Sequence, residues 1–223
     1  MKTILCYGDS NTWGYVPGSF DFASGVCQRF SSMERWTGLL QNQLGEEFAV
    51  VECGLNGRTS DLDEPGWPNR NGLVMLDPIL EMYTPVDLVI LMLGTNDLKC
   101  KFARSAHDIA AAMKKLIDKI KGFKCVSDAP TPTILIVSPP AVTREDSFND
   151  DFKGAIAKNK MLPAALKGLC EEEDCFFLDA SEIALSPEDG VHLELRGHLA
   201  LSELVGNCLR EICKSQKICA PGR

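Results

Sequence analysis

The stretch Ile4-Leu5-Cys6-Tyr7-Gly8-Asp9-Ser10-Asn11-Thr12-Trp13-Gly14 decides how the chain is read. An apolar run stops abruptly at Gly-Asp-Ser, which predicts a buried strand followed by a turn or a short helical segment. Open α/β sheets place their chemistry at the C-terminal ends of such strands. A serine held at the mouth of that turn becomes a nucleophile once a base takes its proton. Gly, Asp and Ser also favour turns for backbone reasons alone. The stretch by itself does not separate the two roles, so the missing partners have to come from elsewhere in the chain.

Outward from it, short apolar runs alternate with helical patterns. Phe48-Ala49-Val50-Val51-Glu52-Cys53 predicts a second strand, leaving through Gly54-Leu55-Asn56-Gly57-Arg58-Thr59. Val86 to Leu93 is almost continuously apolar, as in a central parallel strand buried on both faces, and it ends in Gly94-Thr95-Asn96-Asp97. Thr133 to Ser138, halted by Pro139-Pro140, and Phe176-Phe177-Leu178 complete five strands. Trp36, Leu39, Leu40 and Leu44 recur at helical spacing, with Gly45 placed to end that helix. Further helices are predicted from Leu73 to Tyr83, after a Ser105 cap, over about twenty residues beyond Pro140 with a kink near Pro163, and from Leu201 to Ile212. Residues 15–33 and 61–72 read as long loops near the strand exits, and loops of that length are often functional.

The alternation implies a parallel sheet with helices on both faces. With no linker or internal repeat, one domain over residues 1–223 is the expectation. The formal charge of -8 disfavours a nucleic-acid partner. The lysines from Lys114 to Lys124 read as a solvated helix face. The first strand begins almost at Met1 with no signal-like segment, and no apolar run would span a bilayer, so a cytoplasmic protein without a membrane partner is expected. The ten cysteines then read as reduced structural thiols, and their spacing implies no metal site.

Right-handed crossovers bring all the strand exits to one edge of the sheet. Ser10, Gly57 and Asn96 follow the first three strands, and Asp189 and His192 follow the fifth. Of the three histidines, His107 and His198 fall on predicted helices, where a solvated or core-edge place is expected; His192 alone lies in an exit loop. An imidazole base, a carboxylate to orient it and donors for a developing oxyanion are what an activated serine requires. Asp189-Gly190 is also a common turn pair, Asn96 could simply make a side-chain turn, and Gly57 could serve only a tight turn.

Taken together, Gly8-Asp9-Ser10-Asn11, Gly57, Gly94-Thr95-Asn96-Asp97 and Asp189-x-x-His192 resemble the four blocks of the SGNH (GDSL-type) hydrolases, over nearly the whole chain. Arg35-Trp36-Thr37-Gly38 and the second and third strand exits look like its arylesterase and acyltransferase branch, typified by the mycobacterial acyltransferase. The resemblance implies a flavodoxin-like three-layer αβα fold with a five-stranded parallel sheet. It implies Ser10 as nucleophile, His192 as base and Asp189 as its orienter, with an oxyanion hole from Ser10, Gly57 and Asn96. Asp9, Asn11 and Trp13, flanking the serine, are expected to bind substrate. The implied activity is hydrolysis of small acetyl or aryl esters through an acyl-enzyme, without metal or cofactor. Transfer of the acyl group to an alcohol, or carbohydrate acetylesterase activity, are the alternatives, and a homo-oligomer is expected. Asn11 stands where the family often has Leu, and Gly57 where the mycobacterial enzyme has Ala; both bear on the shape of the acyl pocket. A nucleotide-binding module is disfavoured, since Gly-x-Gly-x-x-Gly and Gly-Lys-Ser/Thr are absent.

Overall fold

In the computed structural model, which describes residues 1–21, 23–126 and 129–216, five parallel strands form one sheet. They are β1 (Lys2–Gly8), β2 (Phe48–Gly54), β3 (Leu88–Met92), β4 (Thr133–Ser138) and β5 (Phe176–Asp179), in the order β2-β1-β3-β4-β5. The helices are α1 (Ser10–Trp13), α2 (Trp36–Leu44), α3 (Gly72–Tyr83), α4 (Ala106–Gly122), α5 (Ser147–Asp150), α6 (Ala155–Asn159), α7 (Leu162–Glu173) and α8 (Leu195–Gln216). This is the expected three-layer arrangement. Among the described residues no helix is long and apolar enough to cross a membrane.

Side chains alternate across a strand, so β1 feeds two cores. Leu5 and Tyr7 join Val89 and Leu91 of β3 under α3, α4 and α7, which contribute Leu76, Ile109 and Leu166. Ile4 and Cys6 join Leu88, Ile90 and Met92 under α2 and α8, which contribute Trp36, Leu40, Leu201 and Val205. Every residue of β3 is buried, which accounts for its unbroken apolar sequence. Burying each such side chain stabilises the fold by roughly 1.5–3 kcal/mol. At the start of α4, Ser105 Oγ accepts the N–H of Asp108 at 3.2 Å while the Asp108 carboxylate accepts the N–H of Ser105 at 2.8 Å. This capping box fixes where the helix begins.

The structure departs from the sequence expectations in several places. The long helix after Pro140 is instead an irregular segment followed by α5, α6 and α7, and Pro163 sits in the first turn of α7, where its missing N–H costs nothing. The lysines of α4 are not merely solvated: Lys119 pairs with Asp77, Lys121 with Glu173 at 3.1 Å, and Lys114 with Asp118 and Glu173. Of the two helix histidines given a solvated or core-edge place, His107 is exposed and His198 is fully buried. Among the described residues eight cysteines are free thiols, but Cys213 is disulfide-bonded, so the all-thiol expectation fails there. Cysteine spacing and compartment bear on the chain as a whole and say nothing about an individual sulfur.

Candidate active site

β1 lies between β2 and β3, so the segments leaving these three strands meet at one edge, where the connectivity switches sides of β1. That crevice is where doubly wound sheets bind ligands. Asp9 caps α1 by accepting the N–H of Asn11 at 3.0 Å, which makes Ser10 the first residue of the helix. The exit of β2 has to be small for α1 to settle here. A Cβ on Gly54 would fall 2.1 Å from the backbone nitrogen of Trp13.

The three residues expected to act on the proton of Ser10 are brought together. His192 Nε2 is 2.9 Å from Ser10 Oγ, and His192 Nδ1 is 2.8 Å from Asp189 Oδ2. Asp189 serves as both turn residue and partner of the imidazole, one oxygen for each. Its Oδ1 accepts the N–H groups of Val191 and His192, both at 2.9 Å, which folds the loop back so that Oδ2 meets the ring. Burial pushes the Asp189 carboxyl up, but the His192 hydrogen bond and charge and the two backbone donors outweigh it, leaving the carboxyl below its ordinary range. A carboxylate so held fixes the tautomer that leaves Nε2 free to accept the serine proton.

Gly57 and Asn96 line the same cavity as Ser10. Asn96 Nδ2 donates one hydrogen to the carbonyl of Arg58 at 3.1 Å, which orients the amide and leaves its second hydrogen available. Two buried charges hold these exits in place. Arg58 Nη1 donates to the carbonyls of Gly8, at 2.7 Å, and Cys53, tying the end of β1 to β2, and the guanidinium lies 4.0 Å over the Tyr7 ring. Asp97 accepts the N–H of Ser60 at 3.0 Å and pairs with Arg104 at 3.0 Å, tying the β3 exit to the segment after Gly57. Burial raises the Asp97 carboxyl, against those hydrogen bonds.

Asp9, Asn11 and Trp13, expected to bind substrate, do not line the cavity. Asp9 spends its carboxylate on the cap. Asn11 donates from Nδ2 to the carbonyl of Val191 at 3.1 Å and accepts the N–H of Leu193 at 2.8 Å, so it holds the loop that carries His192. Trp13 packs under Arg29, whose guanidinium lies 5.0 Å from the ring. Of the aromatics in and beside the two long loops, Phe20 and Trp67 line the cavity, Trp13 and Phe30 do not, and Phe22 lies outside the described residues.

The cavity, of about 470 Å³, also brings in residues that the sequence pattern did not single out. The Tyr15 ring lies 4.1 Å from the His192 ring, and Phe148 meets it edge-on at 5.6 Å. Phe148 holds a positive φ of 54°, rare for a bulky side chain and a form of strain that gathers at functional sites. Arg70 and Lys99 add two cations to the lining. Tyr15 stood within the first long loop, but neither periodicity nor a turn signal marked it or Phe148.

The model of the GDSL-like lipase/acylhydrolase family matches residues 6–200. The chain therefore belongs to that family, the SGNH hydrolases, and is a carboxylic ester hydrolase. Among solved structures, the aryl esterase of M. smegmatis is 35% identical with a TM-score of 0.87, the alignment covering 95% of this chain and 99% of that one. Est24, a carbohydrate acetylesterase from Sinorhizobium meliloti, is 32% identical with a TM-score of 0.87, covering 95% and 100%. The lipase/acylhydrolase of Enterococcus faecalis shares the fold at 19% identity and a TM-score of 0.66, covering 95% and 97%. No curated protein matches the chain.

Proposed function

We propose that this hydrolase cleaves small acetyl or aryl esters through an acyl-enzyme on Ser10. The observation that carries the reading is the run of hydrogen-bond distances from Ser10 Oγ through His192 to Asp189, at the mouth of an aromatic-walled cavity. Ser10 Oγ attacks the ester carbonyl as His192 Nε2 takes its proton, and Asp189 stabilises the imidazolium that forms. The oxyanion is received by the N–H groups of Ser10 and Gly57 and by Asn96 Nδ2. Neither N–H has an acceptor among the described residues. The imidazolium returns the proton to the leaving alcohol, and water then attacks the acyl-enzyme with His192 again as base.

The test is turnover of 4-nitrophenyl acetate. Wild type releases nitrophenolate, while Ser10→Ala reduces release to background; comparable turnover by the variant would remove Ser10 from the chemistry. Asn96→Ala should lower kcat about a hundred- to a thousandfold if its amide meets the oxyanion.

Acyl transfer to an alcohol is the second reading, favoured by the aromatic walls supplied by Phe20, Trp67 and Phe148. The acyl-enzyme is common to both reactions, and only the acceptor differs. Product partition in the presence of an added alcohol separates them, since plain hydrolysis gives no new ester. The likeness to Est24 supports including acetylated sugars among the substrates tried. Self-association through the loops after β1 and β2 belongs to the same proposal, supported by the exposed Val26 and Trp67, and light scattering after size exclusion tests it.

A further inference from the structure

We propose that Arg70, held on Trp67, forms a carboxylate-recognising wall, so that the preferred esters of this site carry a carboxylate remote from the reacting carbonyl. The inference rests on the esterase reading above. Arg70 and Trp67 line the cavity that Ser10 and His192 open into. The Trp67 ring lies directly on Gly57, where a Cβ would fall 2.3 Å from ring atom Cζ3. Above the ring, the Arg70 guanidinium sits 4.2 Å from its centroid. The indole thus touches both a glycine at an expected oxyanion donor and a guanidinium, which places a positive charge in the lining of the cavity that holds Ser10. Stacking on an aromatic face holds a guanidinium while leaving its edge for an anion.

That edge is unmatched. Arg70 Nη1 donates to the carbonyl of Pro68 at 2.8 Å, but Nε is buried and finds no acceptor. Among the described residues Arg70 makes no ion pair, although the chain carries 31 acidic against 23 basic side chains. The neighbouring cations show the contrast. Lys99 reaches Glu64 at 3.3 Å and Asp151 at 3.9 Å, Lys101 pairs with the same two carboxylates, and Arg104 pairs with Asp61 and Asp97. A guanidinium that lines the cavity without a carboxylate partner can take one from an incoming substrate through its remaining N–H groups, and Arg with a carboxylate is the geometry that forms paired hydrogen bonds.

A monoanion fits better than a phosphate. Among the described residues one unpaired cation lines the cavity, Lys99 is already neutralised, and Asp151 lines the same space and would repel a second negative charge. The carboxylate can belong to the acyl group, as in a half-ester of a dicarboxylic acid, or to the leaving alcohol.

Matched pairs of substrates distinguish these sources. The acyl arm compares 4-nitrophenyl hydrogen glutarate with its methyl ester. The alcohol arm compares 3-acetoxybenzoate with methyl 3-acetoxybenzoate. Wild type should favour the charged member of one pair about ten- to a hundredfold in kcat/KM, with the preference falling as salt is raised. Arg70→Met should abolish that ratio, and Arg70→Lys should restore part of it. A wild-type ratio near one in both pairs, or a ratio unchanged in Arg70→Met, would overturn the proposal. Should Arg70→Met fail to fold, the wild-type ratio and its salt dependence decide alone. Absence of turnover with the neutral esters as well would instead count against the esterase reading. In that case calorimetric binding of glutarate monoamide to wild type and to Arg70→Lys decides the wall: binding weakened in the variant supports it, and no binding to wild type overturns it.

Discussion

Asn11 donates its side-chain amide to the carbonyl of Val191 across 180 residues of sequence, at 3.1 Å. Its Oδ1 also accepts the N–H of Leu193 at 2.8 Å, so one side chain grips the backbone on both sides of His192. Asn11→Ala would leave a buried N–H and a buried carbonyl unpaired, at about 2–4 kcal/mol. The imidazole should then lose its fixed approach to Ser10. Urea unfolding should show the loss of stability. In the folded variant kcat should fall at least about tenfold with little change in KM, since a misplaced base costs the chemical step more than binding. A rise in KM with kcat intact would instead support the substrate-binding role first expected of Asn11.

Gly57 and Trp67 give a second test. The glycine has φ of 75° and lies beneath the ring, so Gly57→Ala is strained twice, by its backbone and by the clash of its Cβ with the indole. The ring is 40% exposed and can swing outward rather than force the sheet apart. The expected outcome is a loss of about 1–2 kcal/mol, a changed Trp67 fluorescence, and a raised KM for aryl esters as the wall moves. Unchanged fluorescence and KM would mean that the stack is not rigid in solution.

The parts of this site that were legible in the sequence are those whose residue types carry a signal by themselves. An apolar run ending in Gly-Asp-Ser marks a strand exit, and Asp-Gly-x-His marks a loop with a titratable pair. Parallel topology then brings such exits to one edge without any further information. The imidazole's packing partners were not legible. Tyr15 reaches His192 from a loop and Phe148 from the short helix α5, both placed by tertiary contacts, and Phe148 lies where one continuous helix was expected. The hydrogen bonds of Asn11 to the His192 loop were not legible for a similar reason. Ser10 lines the cavity, whereas the next side chain of α1 turns to the backbone of the loop that carries His192. Arg70 could not be distinguished from any other loop cation, because what sets it apart is a missing carboxylate.

Asp9 leads to a prediction about pH. Burial raises its carboxyl to about 6, against the hydrogen bond from Asn11 and the nearby His192 charge. In the unfolded chain it titrates near its ordinary value, so between pH 4 and 6 the folded state holds the extra proton. Stability contributed by this group therefore falls as pH rises through that window, by about 3 kcal/mol at about 1.4 kcal/mol per unit. Asp9→Asn keeps an acceptor for the cap. It should raise the urea midpoint at pH 7.5 and leave it nearly unchanged at pH 4. An equal shift at both pH values would show that charge is not the cause.

His198 acts with the opposite sign over nearly the same range. It is fully buried on α8, with Nδ1 accepting the N–H of Trp36 at 3.2 Å and the Phe30 ring edge-on at 5.2 Å. Burial first, then the Arg35 charge, lower its pKa to about 4. Protonation would put a hydrogen on the nitrogen that now accepts, so the Trp36 bond would be lost together with the cost of the buried charge. Because the folded pKa is depressed, the unfolded chain takes up the proton first as pH falls below about 6.5. The contribution of His198 is thus complete above that value and lost by about 3 kcal/mol on the way to pH 4. In wild type the Asp9 and His198 slopes oppose each other, and stability should be almost flat from pH 6 to pH 4 as far as these two groups determine it. His198→Asn, which can still accept from Trp36, should unmask the Asp9 slope, so that the variant gains stability on acidification relative to wild type. Asp9→Asn should unmask the reverse. Parallel stability curves for wild type and His198→Asn across this range would show that the buried imidazole does not set the acid response.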